Sequence, residues 1–286
     1  MSDLIETSCL GRTLRYRPLR ARTPDGLDLA VQDWGRGTCT RDVLLIHGFS
    51  QSHLAWLKQV SGPLAEAFRL VSFDIRGHGL SDKPGEAEAY RDPGRWADDV
   101  RSVIAQAGLV RPVLVVWSYA GRIALDYLQA NGDADIAGLV MVAATSSGDP
   151  ALLGPAIGAL RRMGAADLGA SLDATRDLLV DCTVRPLPAD EFALMMGYNA
   201  MTPPAVRRAL AGRPAEYDGV LRNLSVPVLT VHGAADRVNL PAMSEHTNRR
   251  VRNGRALVYR EVGHLPFWED AARFDADLAA FLRGLP

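Results

Sequence analysis

The sequence predicts an α/β protein with a mostly parallel, eight-stranded sheet, helices on both faces and a helical cap inserted between two strands. Short β-branched runs alternate with segments of helical periodicity, which is typical of a sheet covered by helices. The later strand candidates are apolar on both of their alternating faces, as strands buried between two helix layers must be. The 286 residues are 48% hydrophobic and 23% charged, a composition that indicates a globular protein and excludes a disordered or fibrous one.

The strand candidates are runs of four to eight residues. The first two form a hairpin around a Pro-Asp-Gly turn at 24–26, which supplies the residues that a tight reversal needs. The eight predicted strands cover residues 14–21, 27–34, 43–46, 70–74, 113–117, 139–143, 228–231 and 256–262.

Helices are predicted where apolar residues recur every three or four positions. One such series ends at Gly108, a residue that commonly terminates helices. A second precedes the Asn-Gly pair at 131–132, and a third closes the chain with Phe274 and Leu278 on one face. These segments supply the helix layers that cover the sheet.

Residues 146–222 interrupt this alternation, because β-branched runs disappear and Ala, Leu, Met and Pro dominate. We expect several short helices there, forming a cap of 146–222 on a core made of 1–145 and 223–286. Paired arginines at 161–162 and 207–208 are interpreted as solvated helix faces.

The charge balance argues against a protein that binds nucleic acid or anionic membranes through net positive charge. The 32 Lys and Arg against 33 Asp and Glu leave a net charge of −1. We expect no nucleic-acid and no membrane partner. Cys9, Cys39 and Cys182 are far apart and odd in number, so neither a disulfide framework nor a thiolate metal site is indicated. No metal or nucleotide motif is present, so no cofactor and no metal are expected. The acidic N-terminus and the absence of an ~18-residue apolar run predict a cytoplasmic protein; the sequence does not indicate an oligomeric state.

The strongest local signal is Ser118, at the junction of the strand 113–117 and the next helix. A serine in such a sharp turn projects its hydroxyl clear of the sheet, provided that its neighbours are small. Ala120 and Gly121 meet this requirement, whereas Val116 replaces the usual glycine. The alternative interpretation is a serine that only caps the helix.

A second signal is the strand 43–46 followed by His47, Gly48 and Phe49. Acyl transfer requires two N–H donors at the developing oxyanion, one from the residue after the nucleophile and one from this loop. The candidate donors are the backbone amides of Tyr119 and Phe49. His47 itself is interpreted as a structural residue that holds the loop by hydrogen bonds.

The sequence resembles the α/β-hydrolase fold superfamily, in particular its serine-nucleophile, esterase- and lipase-like members. The resemblance covers nearly the whole chain outside the cap. It rests on Leu-Ile-His-Gly-Phe at 45–49, on Phe-Asp-Ile-Arg-Gly-His-Gly-Leu-Ser-Asp at 73–82, on the serine turn and on two later segments. In the family the histidine corresponding to His78 is structural.

The resemblance implies a nucleophile, an acid and a histidine in that chain order. Asp236 follows a late strand and supplies the acid, and His264 precedes the final helix and supplies the base. Ser118, Asp236 and His264 are therefore the expected catalytic residues, with Asp149 as the reserve acid.

The remaining polar candidates have structural interpretations. Asp74 is expected to anchor its turn, and His232 to be packed rather than catalytic. His53 and His246 are placed on surface helices, and Glu269 in the first turn of the last helix, where the helix dipole favours a carboxylate.

The expected substrate pocket combines core and cap side chains. Met163, Met195, Met196, Met201 and Tyr198 are adaptable apolar groups that could cover the site, although they could equally form the core of the cap. Phe49, Trp117, Met195 and Tyr198 are the candidate substrate-binding residues.

The implied activity is hydrolysis of small or medium apolar carboxylic esters through an acyl-enzyme. The serine argues against haloalkane dehalogenases and epoxide hydrolases, which use an aspartate. A lactonase, a thioesterase or a cofactor-free perhydrolase (haloperoxidase) remains an alternative, as does a non-catalytic ligand-binding protein of the same fold.

Overall fold

The protein was analysed as a computed structural model that describes residues 4–35 and 41–286. Nine strands in these residues form one sheet in the order β1-β2-β3-β5-β4-β6-β7-β8-β9. The strands are β1 Ile5–Cys9, β2 Arg12–Arg22, β3 Asp28–Asp33, β4 Asp42–Ile46, β5 Arg69–Phe73, β6 Val113–Trp117, β7 Gly138–Val142, β8 Val228–Gly233 and β9 Gly254–Tyr259.

The helices lie mainly between consecutive parallel strands, as crossover connections require. Short 3₁₀ turns occupy His53–Trp56, Ala87–Tyr90 and Pro150–Leu152. The α-helices are α1 Leu57–Val60, α2 Pro63–Ala67, α3 Pro93–Gln106, α4 Ala120–Asn131, α5 Ile157–Arg162, α6 Leu168–Asp181, α7 Ala189–Ala200, α8 Pro204–Ala211, α9 Asp218–Asn223, α10 Ala242–Asn248, α11 Pro266–Glu269 and α12 Ala271–Arg283.

The mostly parallel sheet is confirmed, and its strand number is nine rather than the predicted eight. Strands β5, β4, β6, β7, β8 and β9 pair in parallel, while β1, β2 and β3 add an antiparallel edge. The additional strand is β1, which pairs with β2 across a turn with positive φ at Leu10 and Gly11. Most of β1 is exposed, so its sequence lacks the apolar alternation by which strands are recognised.

The central strands are buried on both faces. Every residue of β4, β6, β7 and β8 is buried. Because successive side chains of a strand point to opposite faces, this burial requires cover on both sides of the sheet. The carboxyl ends of these strands are therefore held by a rigid core.

Helices α5 to α8 lie in the segment 146–222, between β7 and β8, and α9 extends one residue beyond the end of that segment. The two ends of the segment meet where the Gly148 amide donates to the Ala215 carbonyl at 2.7 Å. None of the helices in the described residues is long and apolar enough to cross a membrane. Cys9 and Cys182 are free thiols, and Cys39 lies outside the described residues.

Arg207 corrects the interpretation of the second arginine pair as a solvated face. Arg208 is exposed, but Arg207 is only 2% exposed and donates to the Ser171 hydroxyl at 2.9 Å and to the Met163 carbonyl at 3.2 Å. Burial lowers the pKa of Arg207 to about 10. This guanidinium ties α8 to α6, a role that the pattern of charges does not reveal.

Candidate active site

Ser118 lies in the turn between β6 and α4, in a conformation that few side chains adopt. Its φ is +56°, in the left-handed region that disfavours residues other than glycine. Its amide donates to the Val142 carbonyl at 3.0 Å, and its carbonyl accepts from the Thr145 amide at 2.9 Å. The neighbouring strand therefore holds the strained turn in place.

Two glycines allow other backbone segments to approach this turn. A Cβ on Gly121 would lie 2.6 Å from the Thr145 carbonyl oxygen, and one on Gly48 would lie 3.1 Å from the Ser118 Cβ. The first distance is sterically forbidden and the second is tight, so both positions favour glycine. The loop after β4 consequently lies directly beside the serine.

Ser118, His264 and Asp236 form a continuous hydrogen-bonded chain. The Ser118 Oγ lies 2.8 Å from His264 Nε2, and His264 Nδ1 lies 2.7 Å from Asp236 Oδ2. The three residues are 7%, 2% and 3% exposed, respectively. The structure thus brings together three side chains that are 146 positions apart at their extremes.

His264 is held by its backbone as well as by Asp236. Its amide donates to the Cys182 carbonyl at 2.7 Å, and its carbonyl accepts from the Trp117 indole at 2.9 Å. Glu269 accepts from the amides of Gly263 and Val184, each at 2.8 Å. This corrects the placement of Glu269 in the first turn of the last helix: it ends α11 and fastens the histidine loop to the segment after α6.

Asp236 contacts a second histidine that the sequence analysis interpreted as packed. His232 Nε2 lies 3.0 Å from Asp236 Oδ2 and 2.9 Å from the Asn239 carbonyl, so this nitrogen is a donor. His232 Nδ1 then accepts from the Ser244 hydroxyl at 2.6 Å. Burial of Asp236 would raise its pKa, but the adjacent His264 and His232 lower that pKa to about 2. The carboxylate is therefore ionised at neutral pH.

The amides of Phe49 and Tyr119 lie on the two segments that flank Ser118. Neither amide donates a hydrogen bond to an acceptor in residues 4–35 or 41–286. The Phe49 and Tyr119 rings lie with their centroids 6.2 Å apart. Both amides are consequently available to an oxygen atom placed beside the serine.

A cavity of about 90 Å³ opens beside Ser118. Thr145 and Asn239 are among its polar lining residues. Its apolar walls come from both the core and the segment 146–222, and consist of Phe49, Leu153, Ile157, Leu160, Leu210 and Val238.

Three of the four predicted substrate-binding side chains do not line this cavity. Phe49 does, whereas Trp117, Met195 and Tyr198 lie elsewhere in the buried core. Trp117 instead supports the backbone of His264. Met195 and Tyr198 lie on α7 and are buried, which agrees with the alternative that these residues form the core of their own segment.

The other upstream histidines organise the loops around the site. His47 Nε2 accepts from the Ile75 amide at 3.1 Å, and His78 Nε2 accepts from the Ser50 amide at 3.0 Å. Burial lowers the pKa of His47 to about 4 and that of His78 to about 3, so both rings are neutral acceptors. Their structural interpretation agrees with this geometry.

Two predicted placements differ in the structure, and the reserve acid is not part of the site. His53 is buried rather than on a surface, and its Nδ1 lies 3.0 Å from Asp74 Oδ1. His246 is partly buried and lies 2.9 Å from Asp218. Asp149 is exposed and caps the turn that begins at Pro150, so it takes no part in the hydrogen bonds of His264.

Two arginines at the cavity were missed by the sequence analysis. Arg122 and Arg161 both line the space beside Ser118. Arg122 lies four positions after Ser118, one helical turn further along α4, and this spacing could have indicated it. Arg161 was interpreted as a solvated residue, and only the packing of α5 places it at the cavity.

Comparison with known proteins defines the class. The model of the alpha/beta hydrolase family matches residues 43–277, so the chain belongs to that family. It is a hydrolase, the enzyme class to which its esterase relatives belong.

The relatives include esterases. The chain is 28% identical to the bifunctional esterase/perhydrolase DCH of Acinetobacter calcoaceticus, over 91% of this chain and 98% of that protein. Among solved structures, it is similar to the esterase RhEst1 of Rhodococcus sp. ECU1013, with 32% identity, a TM-score of 0.88, and 94% and 99% of the two chains covered. It is also similar to a provisionally assigned aryl esterase of Burkholderia cenocepacia, with 36% identity, a TM-score of 0.87, and 93% and 98% covered.

Proposed function

We propose that the protein is a serine hydrolase that cleaves small or medium carboxylic esters through an acyl-enzyme intermediate. The observation that carries this proposal is the hydrogen-bonded chain from Ser118 Oγ through His264 to Asp236, at 2.8 and 2.7 Å. A strained serine, a base on its hydroxyl and a carboxylate behind the base form the arrangement that activates an alcohol as a nucleophile.

In the acylation step, His264 Nε2 accepts the Ser118 proton while Oγ attacks the ester carbonyl carbon. Asp236 holds the Nδ1–H tautomer of His264 and stabilises the imidazolium that forms. The imidazolium then protonates the departing alcohol oxygen as the carbon–oxygen bond of the ester breaks. In deacylation the same ring removes a proton from water, whose oxygen attacks the acyl carbon. The imidazolium then returns that proton to Oγ as the bond between the acyl carbon and Oγ breaks, which restores the Ser118 hydroxyl and releases the acid.

The oxyanion of each tetrahedral intermediate is assigned to the amides of Phe49 and Tyr119. Both amides flank the serine and have no acceptor in the described part of the chain. Donors that are fixed in place before the reaction stabilise developing charge without reorganisation. Removal of a single donor of this kind typically reduces kcat by about 10²–10³.

The segment 146–222 is proposed to act as a cap on a core of 1–145 and 223–286. It contributes Leu153, Ile157, Leu160 and Leu210 to the wall of the cavity beside Ser118. Since a space of about 10–15 Å³ holds one water molecule, a cavity of about 90 Å³ suits a small apolar acyl or alkyl group. The cap would exclude water from this group during acylation.

Active-site labelling and ester hydrolysis test the proposal together. A fluorophosphonate probe should modify Ser118, and p-nitrophenyl acetate and butyrate should be hydrolysed. The Ser118→Ala variant should lose both reactions, with kcat reduced by about 10⁶. Ser146→Ala is a matched control, because Ser146 is a buried serine that bonds to Thr247 instead. Full esterase activity in Ser118→Ala would eliminate the mechanism.

Perhydrolysis is a second candidate, favoured by the similarity to an esterase/perhydrolase. Hydrogen peroxide would replace water in attack on the acyl-enzyme and release a peracid. Partition of one acyl-enzyme between water and peroxide can be measured from the ratio of acid to peracid. A ratio that does not respond to peroxide concentration would exclude this reaction.

The cytoplasm is the proposed site of action. Cys9 is half-buried, Cys182 is buried, and both are free thiols, a state that a reducing compartment preserves. The proposed partner is a small ester substrate, including lactones and thioesters as variants of the same acyl transfer.

A further inference from the structure

The cavity beside Ser118 adjoins a larger one of about 720 Å³. Arg122, Leu153, Arg161 and Ala211 line both spaces. These four residues therefore mark the junction through which a substrate would extend from the serine. Two of the four are cationic.

On its inner side this junction carries only positive charge, whereas the outer cavity is also lined by Asp149, Glu216 and Asp218. The described lining of the cavity beside Ser118 includes no Asp or Glu. Neither Arg122 nor Arg161 forms an ion pair with a carboxylate in the described part of the chain, whereas Arg213, which lines the outer cavity, pairs with the buried Asp126. Two cations in one small apolar enclosure favour an anionic occupant.

The Arg122 guanidinium is fixed but has unused donors. Its Nη1 donates to the Arg213 carbonyl at 2.8 Å, and its guanidinium lies 5.4 Å from the centre of the Tyr119 ring. Its Nε is buried and has no hydrogen-bond partner in the residues described. Because this nitrogen has no exposed surface, it adds no donor for a ligand in the cavity; the available donors are those of Nη2, which bonds to no described residue.

Arg161 and its neighbour Arg162 differ in whether a carboxylate of the described residues pairs with them. Both are exposed and lie in the last turn of α5. Arg162 bonds to Asp177 of α6 at 2.9 Å, as expected for a surface cation. Arg161 has no such partner among the described residues and lines the cavity instead.

We propose that Arg122 and Arg161 bind a carboxylate carried by the substrate, so that the preferred esters have an apolar part at Ser118 and an anionic end at the junction. This inference rests on the proposed esterase function. A planar guanidinium matches a carboxylate through paired, charge-assisted hydrogen bonds. The substrate class is half-esters of dicarboxylic acids or esters of hydroxy acids.

Matched ester pairs test the proposal. On the acyl side, monoethyl succinate, glutarate and adipate are compared with the ethyl esters of the corresponding monoamides. On the alcohol side, the acetate ester of 4-hydroxybutyrate is compared with that of its amide. In at least one series the carboxylate should exceed the amide in kcat/KM by about tenfold, since charge-assisted hydrogen bonds are the strong ones. Added salt should reduce this ratio.

Arg161→Gln should lower the ratio of carboxylate to amide by about tenfold. Arg162→Gln removes the same charge from the same helix and should leave that ratio unchanged. Arg122→Gln should also lower the ratio, and circular dichroism would verify that this variant is folded. Equal hydrolysis of both esters in every series, or equal effects of the Arg161 and Arg162 variants, would overturn the proposal.

Calorimetric binding to Ser118→Ala separates this proposal from the esterase function. The inactive variant should bind monoethyl glutarate or the acetate ester of 4-hydroxybutyrate more tightly than the matching amide. An added Arg161→Gln change should abolish that difference. Selective binding without turnover in the parent enzyme would reject ester hydrolysis and keep the carboxylate site. Turnover of neutral esters without selective binding would keep ester hydrolysis and reject the carboxylate site.

Discussion

In the described residues, two buried carboxylates each contact the Nδ1 of an imidazole, and only one of these imidazoles is joined to a nucleophile. His53 Nδ1 lies 3.0 Å from Asp74, and His264 Nδ1 lies 2.7 Å from Asp236. Both carboxylate side chains are fully buried, and both are held ionised, because the adjacent histidines lower their pKa values. The two pairs are therefore close electrostatic equivalents.

The difference lies on the far nitrogen of each imidazole. His264 Nε2 faces the Ser118 hydroxyl at 2.8 Å, whereas no hydroxyl of the described residues lies within hydrogen-bonding distance of the His53 ring. Asp74 is also an anchor for its loop, accepting the amides of His53 at 2.7 Å and of Leu80 at 2.8 Å. A buried Asp–His pair is thus not a catalytic signature without an activated oxygen.

The largest contrast should come from neutralising each carboxylate. Asp236→Asn should reduce kcat by about 10⁴, because the amide favours the wrong tautomer of His264. Asp74→Asn should instead lower the free energy of unfolding by about 2–4 kcal/mol, since buried donors lose an ionised acceptor, with little change in kcat of the folded enzyme. Ester kinetics and urea denaturation measure the two effects. A catalytic loss in Asp74→Asn as large as in Asp236→Asn would abolish the distinction.

The dependence of kcat/KM on pH tests how many buried groups change their charge during titration. Burial opposes ionisation of Asp236, but His264 and His232 lower its pKa to about 2, so this carboxylate stays charged as pH falls from 8 to about 5. Burial keeps His47 and His78 neutral over the same range, with pKa values of about 4 and 3. The acid limb of kcat/KM should therefore report the uptake of one proton by the catalytic base, with a slope of one on a logarithmic plot against pH. A slope of two would contradict this.

The smallest effect is expected at His232, the second histidine that contacts Asp236. The second histidine near Asp74 is His47, whose Nε2 lies 3.9 Å from that carboxylate and accepts from the Ile75 amide instead. The Nε2 donor of His232 lies 3.0 Å from Asp236 Oδ2. His232→Leu should lower kcat by about tenfold with little change in KM, because a hydrogen bond to a charged group is lost. His232→Gln places an amide donor near the same position and should restore part of kcat. Equal kcat values in the two variants would assign His232 to packing alone.

The sequence was informative wherever the signal was local. The strand before Ser118 and the helix after it follow from an apolar run and from Ala120 and Gly121, and the structure has both elements. The hairpin of β2 and β3 follows from its turn residues. The exposed strand β1 was missed, since pairing with β2 rather than its own pattern makes it a strand.

The lining of the cavity was predicted least well. Met195 and Tyr198 have the apolar character of pocket residues, but α7 buries them away from Ser118. Arg161 has the character of a solvated residue, yet α5 places it at the cavity. Which face of a cap helix meets the core depends on the packing of several helices together, and no single periodicity encodes it.

The sequence by itself determined the α/β class, the strained turn at Ser118 and the order of Ser118, Asp236 and His264 along the chain. These features follow from short-range rules of periodicity, turn chemistry and motif. Only the tertiary structure decided that the three side chains meet at 2.7 and 2.8 Å, and that two arginines without an ion-pair partner in residues 4–35 and 41–286 line their cavity. Ångström-scale distances between residues more than a hundred positions apart are set by the sheet order and by close packing of the whole core, which act only once the chain has folded.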